Sequence, residues 1–504
     1  MAASTLRLQE WKLAIMLGIL ASVVSASLFV HTWYVLPFAI LTLGAAVVSL
    51  FASVRFPHLL FLIFAVIAWF PEFASTDWNA WTAEDAPSLY NFRPISAITV
   101  SVFDYLFAAI VMVWLLKYVL PDPQKLLKAP FARIMLAFFA VWVLNLLHGL
   151  YRGNETYQAL REFRVGAYFV LTYFMVVTAC GEMEEVRKFI KLSVALAAVV
   201  GVYGIFRYVL GMGAEFADVR LIYYDIADSM LLYIAMLLIA SFAIEGSVIK
   251  GKALLTIALT LPMVFSFLFS YRRGAWVAFT GGLVFLVIFY PRRARLRRQI
   301  LRRVFLPAVA IVALISAVPF LRNNGLDFVV TRITSIFTVT EDPSNVFRIL
   351  DAQNALNAFA QHPILGVGAG GRYELEFASK DPVMMKFMEH VSNASHDGYL
   401  YVLFKAGIIG FLVYLAIFVK FLRRWFETRK RIALPSERAV LMALGAIVIA
   451  FLVNNVPEPV SDTLRPSMLL AFVMSWGAIW MRELNDRARA LTQVPVAQVN
   501  SQHA

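Results

Sequence analysis

Hydrophobic stretches close to the ~20 residues that cross a bilayer as a helix recur along almost the whole chain. Only one long polar run, Asn323 to Leu400, interrupts them. In hydrocarbon every backbone N–H and C=O must be paired within the protein, which leaves helices and closed barrels. The short alternating strands of a barrel are not evident. The expected fold class is therefore all-α, a polytopic transmembrane helical bundle carrying one large extramembrane loop segment. Composition agrees: of 504 residues 61% are apolar and 15% charged, where a soluble protein carries about a quarter charged.

Spans are expected at 11–30, 35–54, 58–70, 98–117, 132–150, 165–180, 192–210, 230–245, 253–270, 275–290, 304–320, 398–419, 438–455 and 467–481. That makes 14, or 12 if the first pair is misread. The apolar start ending in Ala21 to Ser27 has the look of a cleavable leader, but a second hydrophobic stretch follows at once, so an uncleaved first span is expected. The net charge of +13 does not point to nucleic acid, because the cations sit in short loops on alternate sides of the spans, as in cytoplasmic loops. Arg292 to Arg303 and Lys420 to Arg431 are the strongest such runs, and the acidic, aromatic stretch Pro71 to Pro94 reads as an outside loop. Both termini are then cytoplasmic. The organisation expected is N-terminal transmembrane helices over 1–320, a loop domain over 321–397, C-terminal transmembrane helices over 398–487 and a disordered tail over 488–504.

Three arginine sites break the charge rule by sitting outside or at the outer membrane face: Arg161 with Arg164, Arg272 with Arg273, and Arg332 with Arg348. Arginine near lipid is costly and marks function by default; its planar fork grips phosphate oxygens bidentately. Several arginines converging on one pocket suit a diphosphate lipid. The plainer alternative is that each pairs with a nearby acid, Arg161 with Glu162 and Arg348 with Asp351. His396 stands at the mouth of span 398–419, where the electropositive helix start disfavours imidazolium and a neutral imidazole can accept a proton. Asp397 is expected either to orient it or to act as a second carboxylate base. A capping or interfacial histidine is the alternative.

The remaining histidines have no ligand spacing, and the lone Cys180 excludes an internal disulfide framework and a thiolate metal site. No metal and no cofactor is expected. Gly366 to Gly371 satisfies G-x-G-x-x-G, but no βαβ unit surrounds it. It reads as a turn after a helix running from about Asn345 to Gln361. Two sequons, at Asn154 and Asn393, mean little if the source is bacterial. A transporter would place its unusual charges at mid-membrane, where only Lys405 and Asp104 qualify.

Arg348, Ala355 and His362-Pro363-Ile364-Leu365-Gly366-Val367-Gly368, followed by His396-x-x-Tyr399-Leu400 and Gly407-x-x-Gly410, resemble the bacterial O-antigen ligase and polymerase family. Ser270-x-x-Arg273-Gly274 resembles that family's serine–arginine–glycine turn, and Arg164 its earlier arginine. The similarity runs from about Tyr271 to Gly410. It implies a metal-independent, inverting glycosyltransferase of the inner membrane with its site facing the periplasm. The substrates implied are an undecaprenyl-diphosphate-linked oligosaccharide and a glycan or lipid A core acceptor. Membrane lipids and a chain-length regulator protein are the further partners expected. In that reading His396 activates the acceptor, and Arg164, Arg273 and Arg348 hold the diphosphate. A polymerase for exopolysaccharide or O-antigen is the first choice, a lipid A core ligase the second, a flippase or scaffold the third. Two positions depart from the family pattern: Asp397 stands where asparagine is usual, and Arg272 where serine is usual. The second departure leaves open which of the paired arginines works.

Overall fold

The computed structural model describes residues 54–69, 100–210, 214–216, 219–221, 226–246, 253–290, 327–334, 343–432 and 434–492. The expected spans 11–30 and 304–320, all but the last residue of 35–54, the loop 71–94 and the arginine run 292–303 lie outside them. So do residues 493–504.

The helices, in order, are α1 (Phe56–Trp69), α2 (Val102–Trp114), the short α3 (Gln124–Lys128), α4 (Ala132–Tyr151), α5 (Thr156–Ala179), α6 (Met183–Val209), α7 (Ile226–Glu245), α8 (Ala253–Leu268) and α9 (Arg273–Phe289). The polar segment supplies α10 (Asp327–Thr334), α11 (Pro343–Gln361) and α12 (Pro382–Val391), and α13 (Gly398–Thr428), α14 (Pro435–Asn454) and α15 (Leu464–Thr492) follow. Eight of the described helices are long and apolar enough to span a membrane, α2 being extended through a π turn at Leu115–Val119; α1, α8 and α9 are shorter apolar helices. The chain is thus an all-α polytopic bundle. The only strands among the described residues are a hairpin, β1 (Ala214–Phe216) antiparallel to β2 (Val219–Leu221), inside the loop expected at 211–229.

Burial orders the helices. The most apolar stretch of α15 is 100% buried, that of α4 only 33%. α15 is therefore the centre, packed on α5 and α14, while α4 shows Leu144 and Leu147 to the outside. A helix apolar all round belongs in a core or in lipid, and this bundle contains both kinds. The expected disordered tail at Ala488 is helical through Thr492.

The helix ends fall into two groups. At one end the α4–α5 turn meets the loop after α11, Gly274 lies against Asn454 and Glu458, and the Gly398 N–H donates to the Asn455 carbonyl at 2.8 Å. At the other, Arg482 reaches the Gly181 carbonyl (2.7 Å), Asn485 donates to Thr428 (3.0 Å) and Arg429 to the Phe289 carbonyl (2.7 Å). Arg164, Arg272, Arg273 and His396 all belong to the first end, near the starts of α5, α9 and α13.

The break in α13 explains the glycine-rich run. Gly407 has φ 63° and ψ −169°, a left-handed conformation that a side chain strains, and a Cβ there would lie 2.2 Å from the Ile364 carbonyl oxygen. The break frees backbone groups that must be paired again at this depth. The loop does so: Val367 N–H donates to the Phe404 carbonyl (2.8 Å), Gly368 N–H to that of Lys405 (3.0 Å), and Ile408 N–H to that of Pro363 (2.9 Å). Gly149 lets α4 close on the same loop, since a Cβ there would meet the Ala369 carbonyl at 2.1 Å. Lys405 and Glu162 lock the assembly. Their fully buried pair is 2.6 Å apart, Glu162 also accepts from Gly370 N–H (2.8 Å), and Lys405 donates to the Gly371 carbonyl (2.7 Å). Removing one partner of such a pair strands a buried charge. Lys405 therefore has a structural account that needs no transported substrate, and Glu162 serves Lys405, not Arg161 as the sequence suggests.

Candidate active site

α11 presents Ser344, Phe347, Arg348 and Asp351 at i, i+3, i+4 and i+7, a spacing that puts all four on one face. Two arginines from distant parts of the chain meet on the first of them. Arg273, from the start of α9, donates to Ser344 Oγ at 3.2 Å, and Arg348 donates to the same oxygen at 3.0 Å. The turn that delivers Arg273 is tight: Tyr271 has φ 52°, unusual for a bulky side chain, and Ser270 Oγ caps the Phe267 carbonyl at 2.8 Å.

Two turns further along the same face, Asp351 holds His396. The carboxylate is fully buried and accepts from the His396 backbone N–H (2.6 Å), from Ser395 Oγ (3.3 Å) and from the Tyr373 hydroxyl, and it faces His396 Nδ1 at 3.3 Å. Phe347 meets the imidazole edge-on, ring centroids 4.9 Å apart. Nδ1 is the ring nitrogen set against the carboxylate, and the imidazole is 24% exposed. A buried acceptor that fixes one ring nitrogen of a partly exposed imidazole is the arrangement a general base needs. Burial and the neighbouring Asp351 also push the Tyr373 hydroxyl well above its usual range, so it stays a donor.

Several residues expected at the site do other work. Asp397 is the N-cap of α13, accepting from Tyr399 N–H (2.7 Å) and Leu400 N–H (3.0 Å). Burial raises its pKa, opposed by those two bonds. The acid that reaches the imidazole is Asp351, which the sequence suggests as a partner for Arg348. Arg272 pairs with Glu458 on the link between α14 and α15 (3.3 Å). Arg164 pairs with Asp104 at 2.8 Å, an acid that also closes the capping box of α2 with Ser101 and accepts from Tyr168 at 2.7 Å. Among the described residues, the hydrogen bonds that tie Arg273, Arg348 and His396 to α11 do not include Arg164 or Arg272. Arg332 lies on α10. Sequence reasoning overlooks Ser344, Phe347 and Tyr373. The signal for the first two was the i, i+4, i+7 spacing of Ser344, Arg348 and Asp351; for Tyr373 there was none.

Among the described residues no group of three or more His, Cys, Asp or Glu side chains has the geometry of a metal site. A search of curated proteins returns no match. Residues 258–415 match the family model described as O-Antigen ligase. The match includes Arg273, Ser344, Arg348, Asp351, Tyr373 and His396; Arg164 precedes it.

Proposed function

We propose that this chain, whose residues 258–415 match the O-Antigen ligase family model, processes lipid-linked glycan in the membrane by the following reaction. The enzyme transfers a glycan from undecaprenyl diphosphate to an acceptor hydroxyl, most readily as a polymerase acting on lipid-linked repeats. The single observation that carries this reading is the shared face of α11, which sets a histidine fixed by a buried carboxylate beside two arginines bridged by one serine.

In this reading the acceptor hydroxyl lies at His396 Nε2. As its oxygen forms a bond to the anomeric carbon, the proton passes to Nε2, and Asp351 stabilises the imidazolium through Nδ1. The bond from the anomeric carbon to the diphosphate oxygen breaks, and undecaprenyl diphosphate leaves with the electron pair. Arg273 and Arg348, with Ser344 between them, meet the charge that grows on the departing oxygens. Diphosphate needs no strong general acid, so the step requires only positive charge at one side and a base at the other. Attack opposite the leaving group inverts the anomeric centre, and no metal enters the scheme. Preorganised donors aimed at developing charge are each typically worth ~3–4 kcal/mol, and a positioned base roughly 10²–10⁴-fold.

Asp397 acts as a helix cap in this reading, and Arg272, through Glu458, anchors the turn that presents Arg273. In this reading this end of the bundle faces the periplasm, which the positive-inside pattern of the loops supports. The test is a proteoliposome assay with undecaprenyl-diphosphate-linked oligosaccharide. Wild type should yield a ladder of lengthening glycans, and His396→Ala none. A single-step transfer to lipid A core instead of a ladder would make the protein a ligase. Turnover retained by His396→Ala would remove the histidine base.

A further inference from the structure

The axis of α11 has an order. Ser344 and Arg348 lie near its start, Asp351 with His396 follows, and beyond them Ala358 continues the face of Asp351, with His362 just past the helix end. Seven residues, or ~10 Å at helical rise, separate Asp351 from Ala358. There a cavity of about 140 Å³ opens at the same end of the bundle, lined among others by Arg152, Asn357, Ala358, Gln361, His362 and Tyr373. If the diphosphate occupies the Ser344 side of the base, this cavity lies on the opposite, acceptor side.

Its lining is polar and carries both signs, Arg152 and Arg372 with Glu374 as its carboxylate. Asn357 and Gln361, at i and i+4, present amides that make no hydrogen bond among the described residues. Arg152 donates to His362 Nε2 at 3.1 Å. A ring nitrogen that accepts from arginine is unprotonated, and burial together with the Arg152 charge lowers the His362 pKa. Arg152 thus hydrogen-bonds a neutral ring and, among the described residues, forms no ion pair, although Glu374 lines the same cavity. The neighbouring Arg372, by contrast, is paired with Glu155 at 2.9 Å. Planar amides suit vicinal hydroxyls, and a guanidinium in no ion pair suits a carboxylate, which it can grip in two places. The cavity is also wired to the base: Tyr373 lines it, and the Tyr373 hydroxyl is one of the donors to Asp351.

We propose that this cavity is the acceptor subsite and takes a carboxylate-bearing sugar residue of the acceptor glycan, the carboxylate on Arg152 and the hydroxyls on Asn357 and Gln361. The inference rests on the transferase reading above for the word acceptor, but its test does not depend on turnover. The full-length protein in nanodiscs is titrated with a galacturonic acid trisaccharide and with the corresponding neutral galactose trisaccharide, and binding is read by calorimetry or saturation-transfer NMR. Wild type should bind the acidic sugar at least tenfold more tightly than the neutral one. Arg152→Gln, a change at an exposed side chain, should abolish the preference while keeping the fold. Asn357→Ala should weaken both sugars several-fold. His396→Ala should bind both as wild type does. Absence of binding, equal binding of the two sugars, or an undiminished preference in Arg152→Gln overturns the subsite even if transfer by the enzyme proceeds. Binding as expected alongside an absence of any glycan transfer by the wild type would instead sink the transferase reading and leave the sugar site standing.

Discussion

Replacing Asp351 by Asn tests the coupling of acid and imidazole. The change keeps shape and removes charge. In the proposed step His396 becomes cationic with its Nδ1 at 3.3 Å from Asp351 Oδ2. At an effective dielectric of about 20, two unit charges at that separation attract by roughly 5 kcal/mol. The carboxylate is fully buried but the imidazole is 24% exposed, so solvent screens part of this, leaving on the order of 3–4 kcal/mol. At 1.36 kcal/mol per decade that is about 10²–10³ in kcat. The comparable substitution in serine-protease triads costs about 10⁴, partly through the wrong tautomer; here the backbone N–H of His396 also loses a charged acceptor. The assay is initial-rate transfer in proteoliposomes at saturating donor, with melting temperature as the folding control. A kcat reduced 10²–10³-fold with an unchanged donor KM is expected. A fully folded Asp351→Asn enzyme within threefold of wild type would refute the reasoning.

Arg273→Ala should raise the donor KM and lower kcat, with acceptor KM nearly untouched; equal losses for both substrates would contradict a diphosphate-holding role. Arg272→Ala leaves Glu458 buried without its partner, so its main effect should be a lower melting temperature, by on the order of 3 kcal/mol of stability. Asp397→Asn keeps a good cap, so activity within a few-fold of wild type is expected, and a hundredfold loss would mark Asp397 as a base after all. Because burial raises the Asp397 pKa, the folded state holds that proton more tightly than the unfolded chain. Wild type should lose stability as pH rises from the ordinary carboxylate range through the raised value, and Asp397→Asn should lack that loss when melting is followed against pH. Gly407→Ala should unfold or fail to insert stably, since it combines a positive φ with a 2.2 Å clash on the Ile364 carbonyl; normal melting would show that the break in α13 is dispensable.

The fold was largely legible because hydrocarbon leaves so few options for a backbone. Every expected span within the described residues is a helix, and Gln361 does end the helix expected before the glycine run. The site was legible in its types and less so in its partnerships. Arg273 and Arg348 can be picked out as cations on the outer side and His396 by its place at a helix start, but pairing is a property of three dimensions. Asp351 looks like the natural mate of Arg348 one turn away, yet it belongs to a histidine 45 residues on. Glu162 looks like the mate of Arg161 and instead meets Lys405 across 243 positions. Local proximity misleads in both cases because buried carboxylates are claimed by the donors the packing brings, not by those nearest in the chain. The glycine run shows the converse. Its pattern matches a nucleotide fingerprint, while its use is to insert backbone donors into a broken helix.

The most direct measurement is the structure of the protein with undecaprenyl diphosphate bound in a lipid nanodisc. The account predicts phosphate density between Arg273, Ser344 and Arg348, with the leaving oxygen on the side that faces His396. Phosphates seated instead on Arg164 or Arg272, away from α11, would contradict it.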